Sequence, residues 1–301
     1  MAIATTAEAV DTAMTVGMST DRLRRIRLFM QGYVDAGKLA GITTLIARHG
    51  DVVHFESVGM AHAEANAAMR HDTIVRIYSM TKPITSVAVM MLYEQGRLRL
   101  NAPVSEYIPE FAELRVYDAA DDAGVAPKRA MTVRDLLTHT SGLSYGWSDA
   151  PVDKAYQKAD PRAGTLQDMA RKLGAIPLMH QPGAAWEYSL STDVLGYLVQ
   201  VVSGVAFDEY LRSEVLEPLH MVDTDFHAPA DVLDRFAANY GWDDEAAALK
   251  VTDDPQTGKF TRPPSLPSGG GGLVSTAADY LRFCQMMLNG GELDGVRLLG
   301  R

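Results

Sequence analysis

The sequence predicts a mixed α/β (α+β) chain, and three observations carry that prediction. A clean β-hairpin pattern lies between residues 41 and 58. Helical patterns flank it on both sides. A long, mostly helical and loop-rich stretch then runs from 101 to 264, before a last amphipathic helix near the C-terminus.

Each element has its own signal. In residues 20–36, Leu23, Ile26, Phe29, Met30, Tyr33 and Val34 repeat at helical spacing, with Ser19 or Thr20 to cap the start and Gly37 to end it. Gly41 to Arg48 turns β-like, His49-Gly50-Asp51 makes a turn, and Val52 to Val58 returns as a second strand. After Thr73 to Tyr78 a helix begins. Val87 to Leu92 is apolar nearly all round, which marks a buried helix, and Gly96 ends it. Short helices are expected at Met131–Thr138, Leu190–Ser203 and Phe207–Leu216. Arg115–Lys128, which is acidic, and Leu143–Gly164, which is aromatic, read as long irregular stretches of the kind that cover or border sites. Leu249–Thr252 and Lys259–Thr261 suggest a small hairpin. Four glycines, Gly269 to Gly272, precede a helix whose start carries Thr276 and Asp279 at capping-box spacing. Its apolar stripe includes Cys284, read as a small buried hydrophobe. Met1 to Met18 reads as a flexible tail and 19–301 as one domain, with 19–100 and 265–301 forming its α/β part and 101–264 its mostly helical part.

Composition excludes several functions. The net charge of −10 argues against nucleic acid or an anionic membrane as partner. No apolar run approaches the roughly 18 residues that span a bilayer. The first residues lack a basic n-region and an apolar h-region, so a cytoplasmic location is expected. A single cysteine permits no intrachain disulfide. Histidines are scattered, with no zinc spacing and no nucleotide-binding glycine motif, so no metal and no cofactor is expected. Oligomeric state is not legible.

The chemistry centres on Ser79-Met80-Thr81-Lys82. A serine hydroxyl is a weak nucleophile until a neighbour takes its proton, and a neutral lysine amine can do so. Ser79 and Lys82, at i and i+3, share one helix face. Pro83 is tolerated only in a first helical turn, so the helix starts close to Ser79. There backbone N–H groups favour developing negative charge. Ser-x-x-Lys alone is common by chance. The hairpin before it, the buried helix after it and a second motif, Trp186-Glu187-Tyr188-Ser189-Leu190-Ser191, give it weight. Tyr188 is a candidate proton relay. Tyr145 and Trp147 are candidate substrate-binding residues. His139, in His-Thr-Ser-Gly, reads as tying a loop to the helix before it.

Tyr78-Ser79-Met80-Thr81-Lys82-Pro83 and Tyr188-Ser189-Leu190 resemble the first two motifs of the class C β-lactamase-like carboxylesterases, the family VIII esterases. Leu136 to Leu143 and Pro267 to Thr276 look similar too, and the resemblance runs from about residue 20 to the end. It implies a β-lactamase/penicillin-binding-protein-like fold, with an antiparallel sheet flanked by helices plus a mostly helical subdomain. It also implies a serine esterase acting on a small-molecule ester through a Ser79 acyl-enzyme, with Lys82 and Tyr188 moving the proton.

Two departures matter. Class C β-lactamases carry an asparagine two residues after the motif tyrosine, and here Leu190 stands there, which argues for esters over β-lactams. The family's third motif, Lys-Thr-Gly or Trp-x-Gly on a strand beside the nucleophile, is not found after Thr276, so a form lacking the C-terminal strands of the sheet is expected. The alternatives within this chemistry are a β-lactamase, a D-amino-acid peptidase or an acyltransferase. Outside it stands a catalytically inactive truncated binding module. A Ser-His-Asp hydrolase would need Gly-x-Ser-x-Gly, which is absent.

Overall fold

The computed structural model describes residues 13–301. In chain order its principal elements begin with helix α1 (Thr20–Asp35) and strands β1 (Gly41–Arg48), β2 (Asp51–His62), β3 (Ala67–Ala68) and β4 (Val75–Arg76). Helix α2 (Thr81–Glu94) and strands β5 (Val116–Asp118) and β6 (Asp121–Val125) follow. Then come helices α3 (Val133–Leu137), α4 (Pro151–Ala159), α5 (Leu166–Gly174), α6 (Ser191–Ser203) and α7 (Phe207–Leu211). Strands β7 (Asn239–Asp243), β8 (Ala248–Asp253) and β9 (Val274–Ser275), helix α8 (Ala277–Leu288) and the pair β10 (Glu292–Leu293) and β11 (Val296–Arg297) complete the chain. The expected α+β content is present, and every paired strand is antiparallel to its neighbour. No single helix among the described residues is long and apolar enough to cross a membrane.

The described chain divides into two units. The first comprises 13–76, 219–262 and 274–289. Its hairpin forms because His49 and Gly50 both take positive φ, 55° and 89°. A two-residue turn of that type matches the twist of the flanking strands. The register runs from Arg48↔Asp51 to Gly41↔Gly59, with a bulge at Ile46/Ala47. The second strand extends beyond its expected end at Val58, to His62, and β3 pairs with its far end. The sheet order is β1-β2-β3, which leaves β1 at an edge among the described residues.

Five expectations in this unit are corrected. The expected tail lies partly outside the described residues, but from residue 13 onward it is packed: Ala13 is fully buried with Leu23 and Val53, and Val16 and Met18 lie against them. On α1, whose start is capped by Ser19, only Leu23 and Met30 are buried; Phe29 and Tyr33 stay exposed. The strand around Leu249 pairs backward with β7, and Lys259–Thr261 is a 3-10 turn. On α8 the buried positions are Asp279, Phe283 and Met286, so Cys284, one residue round the helix from Phe283, is exposed. Thr276 accepts from the Asp279 N–H, but the Asp279 carboxylate turns to the Asp223 N–H and the Thr224 hydroxyl, completing only half a capping box.

The second unit comprises 77–218, 263–273 and 290–301. Helix α6 is its centre, buried from Ser191 to Val199 and packed against α2, α3, α5 and α7. Helix α2 is buried as expected, with Ile84, Ala88, Val89 and Leu92 fully enclosed, and it groups with these helical residues. The two irregular stretches are more ordered than expected. Arg115–Lys128 contains the hairpin β5–β6, closed where Asp118 accepts from the Ala120 N–H. Leu143–Gly164 contains α4, started by Pro151 in its first turn and stopped at Asp160, whose φ is 42°. The helix expected over Phe207–Leu216 loosens into a π-turn at Arg212–Leu216.

Candidate active site

Every residue singled out from the sequence as catalytic or substrate-binding falls in the second unit. Ser79 sits in a 3-10 turn, Tyr78–Met80, that leads directly into α2. Tyr78 just before it holds φ at 43°, a left-handed conformation that costs a non-glycine residue energy. Strain of this kind collects at functional turns. Ser79 is exposed and Lys82 half-buried, one turn on.

Three polar atoms converge. Lys82 Nζ lies 3.2 Å from Ser79 Oγ, and the Tyr188 hydroxyl lies 2.7 Å from the same oxygen. The lysine also donates to the Gly270 carbonyl at 2.6 Å. Its Nζ stands 4.5 Å from the centre of the Tyr188 ring. Tyr188 thus comes from 109 residues away to meet both members of the Ser-x-x-Lys pair.

Two adjacent loops set that tyrosine. The Glu187 N–H donates to the His139 carbonyl at 2.8 Å, and the Leu190 N–H to the Ser144 carbonyl at 3.3 Å. Behind them Ser141, Ser189 and Ser191 form a buried hydroxyl chain at 2.8 Å steps. His139, with φ of 55°, does more than close a helix. Its ring lies 4.9 Å from that of Tyr188 and 3.4 Å from the Ser189 hydroxyl. Burial, and then the charge of Lys82, lower its pKa to about 4, so the ring is neutral at pH 7.

Tyr145 and Trp147 are also brought to the site. Their rings stack at 4.4 Å, and both lie beside Tyr188, at 5.3 and 6.1 Å. Trp186, quoted in the second motif but given no role from the sequence, stacks on Tyr188 with ring centres 6.1 Å apart. Trp147 and Trp186 remain 68% and 66% exposed, so they form an open aromatic border beside the serine. Tyr145 is more enclosed; burial and the nearby Asp193 push its phenol up, so it stays protonated. Leu190, at the position of the asparagine, is buried and offers no polar group.

Comparison with known proteins places the chain in a family. The beta-lactamase family model fits residues 26–299. The chain belongs to the beta-lactamase family. Among curated relatives, Protein Rv1367c of Mycobacterium tuberculosis is 38% identical over 269 residues, which is 88% of this chain and 66% of that protein. Esterase EstB of Burkholderia gladioli is 33% identical over 265 residues, 81% of this chain and 64% of the esterase. The chain therefore spans about two thirds of the length of these curated relatives. Among solved structures, EstCE1, described as a hydrolase with promiscuous acyltransferase activity, superposes with a TM-score of 0.78 at 29% identity, covering 91% of this chain and 74% of its own. The fold is that of the β-lactamases and penicillin-binding proteins, in a serine hydrolase family with esterase and acyltransferase members.

Proposed function

We propose that this chain carries the catalytic machinery of a serine carboxylesterase, with Ser79 as nucleophile and Lys82 and Tyr188 as the proton-moving pair. The observation that carries the reading is the double contact of Ser79 Oγ, 2.7 Å from the Tyr188 hydroxyl and 3.2 Å from Lys82 Nζ. Ser79 Oγ bonds to the ester carbonyl carbon as its proton passes to the Tyr188–Lys82 pair. The Ser79 backbone N–H is one donor to the resulting oxyanion. The carbon–oxygen bond to the alcohol breaks, and the pair returns the proton to that oxygen. Water then attacks the acyl-serine with the same pair as base, releasing the acid. Tyr145 and Trp147 line the acyl or alcohol side. Esters are favoured over β-lactams because Leu190 supplies no polar group where class C β-lactamases have asparagine.

The second reading is acyl transfer, in which an alcohol rather than water takes the acyl group. The open aromatic border of Trp147 and Trp186 favours it, because such a surface holds an apolar acceptor against Ser79. EstCE1, with its promiscuous acyltransferase activity, supports it by likeness.

The test is hydrolysis of short-chain nitrophenyl esters by wild type, Ser79→Ala, Lys82→Ala and Tyr188→Phe. Ser79→Ala should abolish turnover, and each of the other two should cost on the order of 10²-fold in kcat or more. Equal rates for wild type and Ser79→Ala would refute the assignment. Adding an apolar alcohol separates the two readings by whether ester or acid accumulates.

A further inference from the structure

A buried carboxylate on α6 is unexplained by the proposed mechanism. Asp193, in the first turn of α6, is fully enclosed. It does not reach Ser79 or Lys82 by a hydrogen bond of its own. Instead its Oδ1 accepts from the Ser268 hydroxyl and from the Gly270 N–H at 3.2 Å. The same Gly270 presents its carbonyl to Lys82 Nζ at 2.6 Å.

The loop between is pinned on both sides. The Gly269 carbonyl accepts from the Thr85 hydroxyl at 2.9 Å, and the Leu273 N–H donates to the Thr81 hydroxyl at 3.2 Å. Thr81, Lys82 and Thr85 all belong to α2. The backbone fits so closely that a Cβ on Gly270 would come within 2.4 Å of Asp193 Oδ2. The polyglycine run therefore serves as a bridge. One end is gripped by the Asp193 carboxyl, and its middle offers one carbonyl to the lysine.

We propose that Asp193 is a positioning residue for Lys82, acting through the Ser268–Gly270 loop whose carbonyl holds the lysine amine against Ser79. The inference rests on the proposed role of Lys82. It accounts for a carboxyl kept wholly out of water, where burial raises its pKa and the Ser268 and Gly270 donors together with Lys82 oppose that rise. It also accounts for glycine at position 270, where any side chain would strike the clamp.

The geometry sets a sharp test, because both bonds fall on one oxygen. An amide oxygen can make them both, so Asp193→Asn should keep the loop in place, while Asp193→Ala should release it. Ser268→Ala removes one bond and leaves the core intact, so it reports even if Asp193→Ala fails to fold. The probe is an alkyl fluorophosphonate, whose rate of covalent attachment to Ser79 reads nucleophile activation without needing deacylation, alongside kcat and KM for a nitrophenyl ester. Labelling and kcat should fall about tenfold or more in Asp193→Ala and severalfold in Ser268→Ala. KM should change less than twofold, and Asp193→Asn should restore labelling to within about threefold of wild type. A folded Ser268→Ala protein that labels at the wild-type rate would overturn the proposal, as would a folded Asp193→Ala protein that does the same. So would an Asp193→Asn protein as slow as Asp193→Ala, since that requires the charge rather than the clamp. A wild-type protein labelled at a residue other than Ser79 would refute the esterase reading itself, which separates the two failures.

Discussion

His139 shows how one residue's surroundings set its chemistry. Its ring borders Tyr188, yet burial and Lys82 hold its pKa at about 4, against an ordinary value of 6.5. A histidine neutral at pH 7 adds no positive charge of its own beside the tyrosine. The depressed value also ties stability to pH. Between pH 6.5 and about 4 the unfolded chain binds a proton at His139 that the folded chain refuses, so stability falls as pH drops through this window. His139→Gln should flatten that part of the stability curve. Urea denaturation at pH 4.5 and pH 7 checks it, since the pH-dependent loss should be smaller in the variant. The legibility of single residues follows the range of their partners. Ser79 and Lys82 were readable because their spacing of three, carried from the 3-10 turn into the first turn of α2, fixes their mutual geometry. Asp193 was not, because its partners lie some 75 residues downstream and a lone aspartate in a first helical turn reads as an N-terminal charge.

At the scale of elements, buried carboxylates fasten the loops that carry the site. Asp153 on α4 accepts from the hydroxyls of Ser144 and Ser148 and from the Ser148 N–H at 2.9 Å. Between those serines stand Tyr145 and Trp147. These hydrogen bonds hold the Asp153 carboxyl below the usual carboxylate range despite its burial. Asp153→Ala leaves this loop without its anchor. KM for an aromatic ester should rise severalfold while kcat falls less, and a steady-state comparison with wild type measures it. The sequence hid this clamp because the 143–164 stretch looked irregular; Pro151 and the short span of α4 left too few periodic positions to mark a helix. The acidic stretch before it hid β5–β6 in the same way, since strands of three and five residues broken by Asp118, Asp121 and Asp122 are too short to show an alternating pattern. By contrast the hairpin over 41–58 was legible because its turn residues and its β-rich strands agree.

For the whole molecule, each unit's stability draws on long-range polar ties as well as on its apolar core. In the first unit Arg76 is buried between Phe236 and Phe260, 4.1 and 5.4 Å from their ring centres. Its Nε donates to Asp253 at 2.7 Å and its Nη1 to the Ala237 carbonyl at 2.6 Å. Removing one partner of a buried pair leaves an uncompensated charge, so Asp253→Ala should cost about 3 kcal/mol, measurable by chemical denaturation. This tie spans 177 residues, and nothing local in the sequence announced it. The fold class was nonetheless readable, through the hairpin, the apolar α2 and the motifs around Ser79 and Tyr188.

The central claim is that Ser79, activated by Lys82 and Tyr188, forms an acyl-enzyme. Intact-mass analysis of protein quenched during nitrophenyl ester turnover, followed by peptide mapping, tests it most directly. The account predicts one acyl adduct per chain, on the peptide and side chain of Ser79, and none in Ser79→Ala. An adduct at another residue, or undiminished turnover by Ser79→Ala, would contradict it.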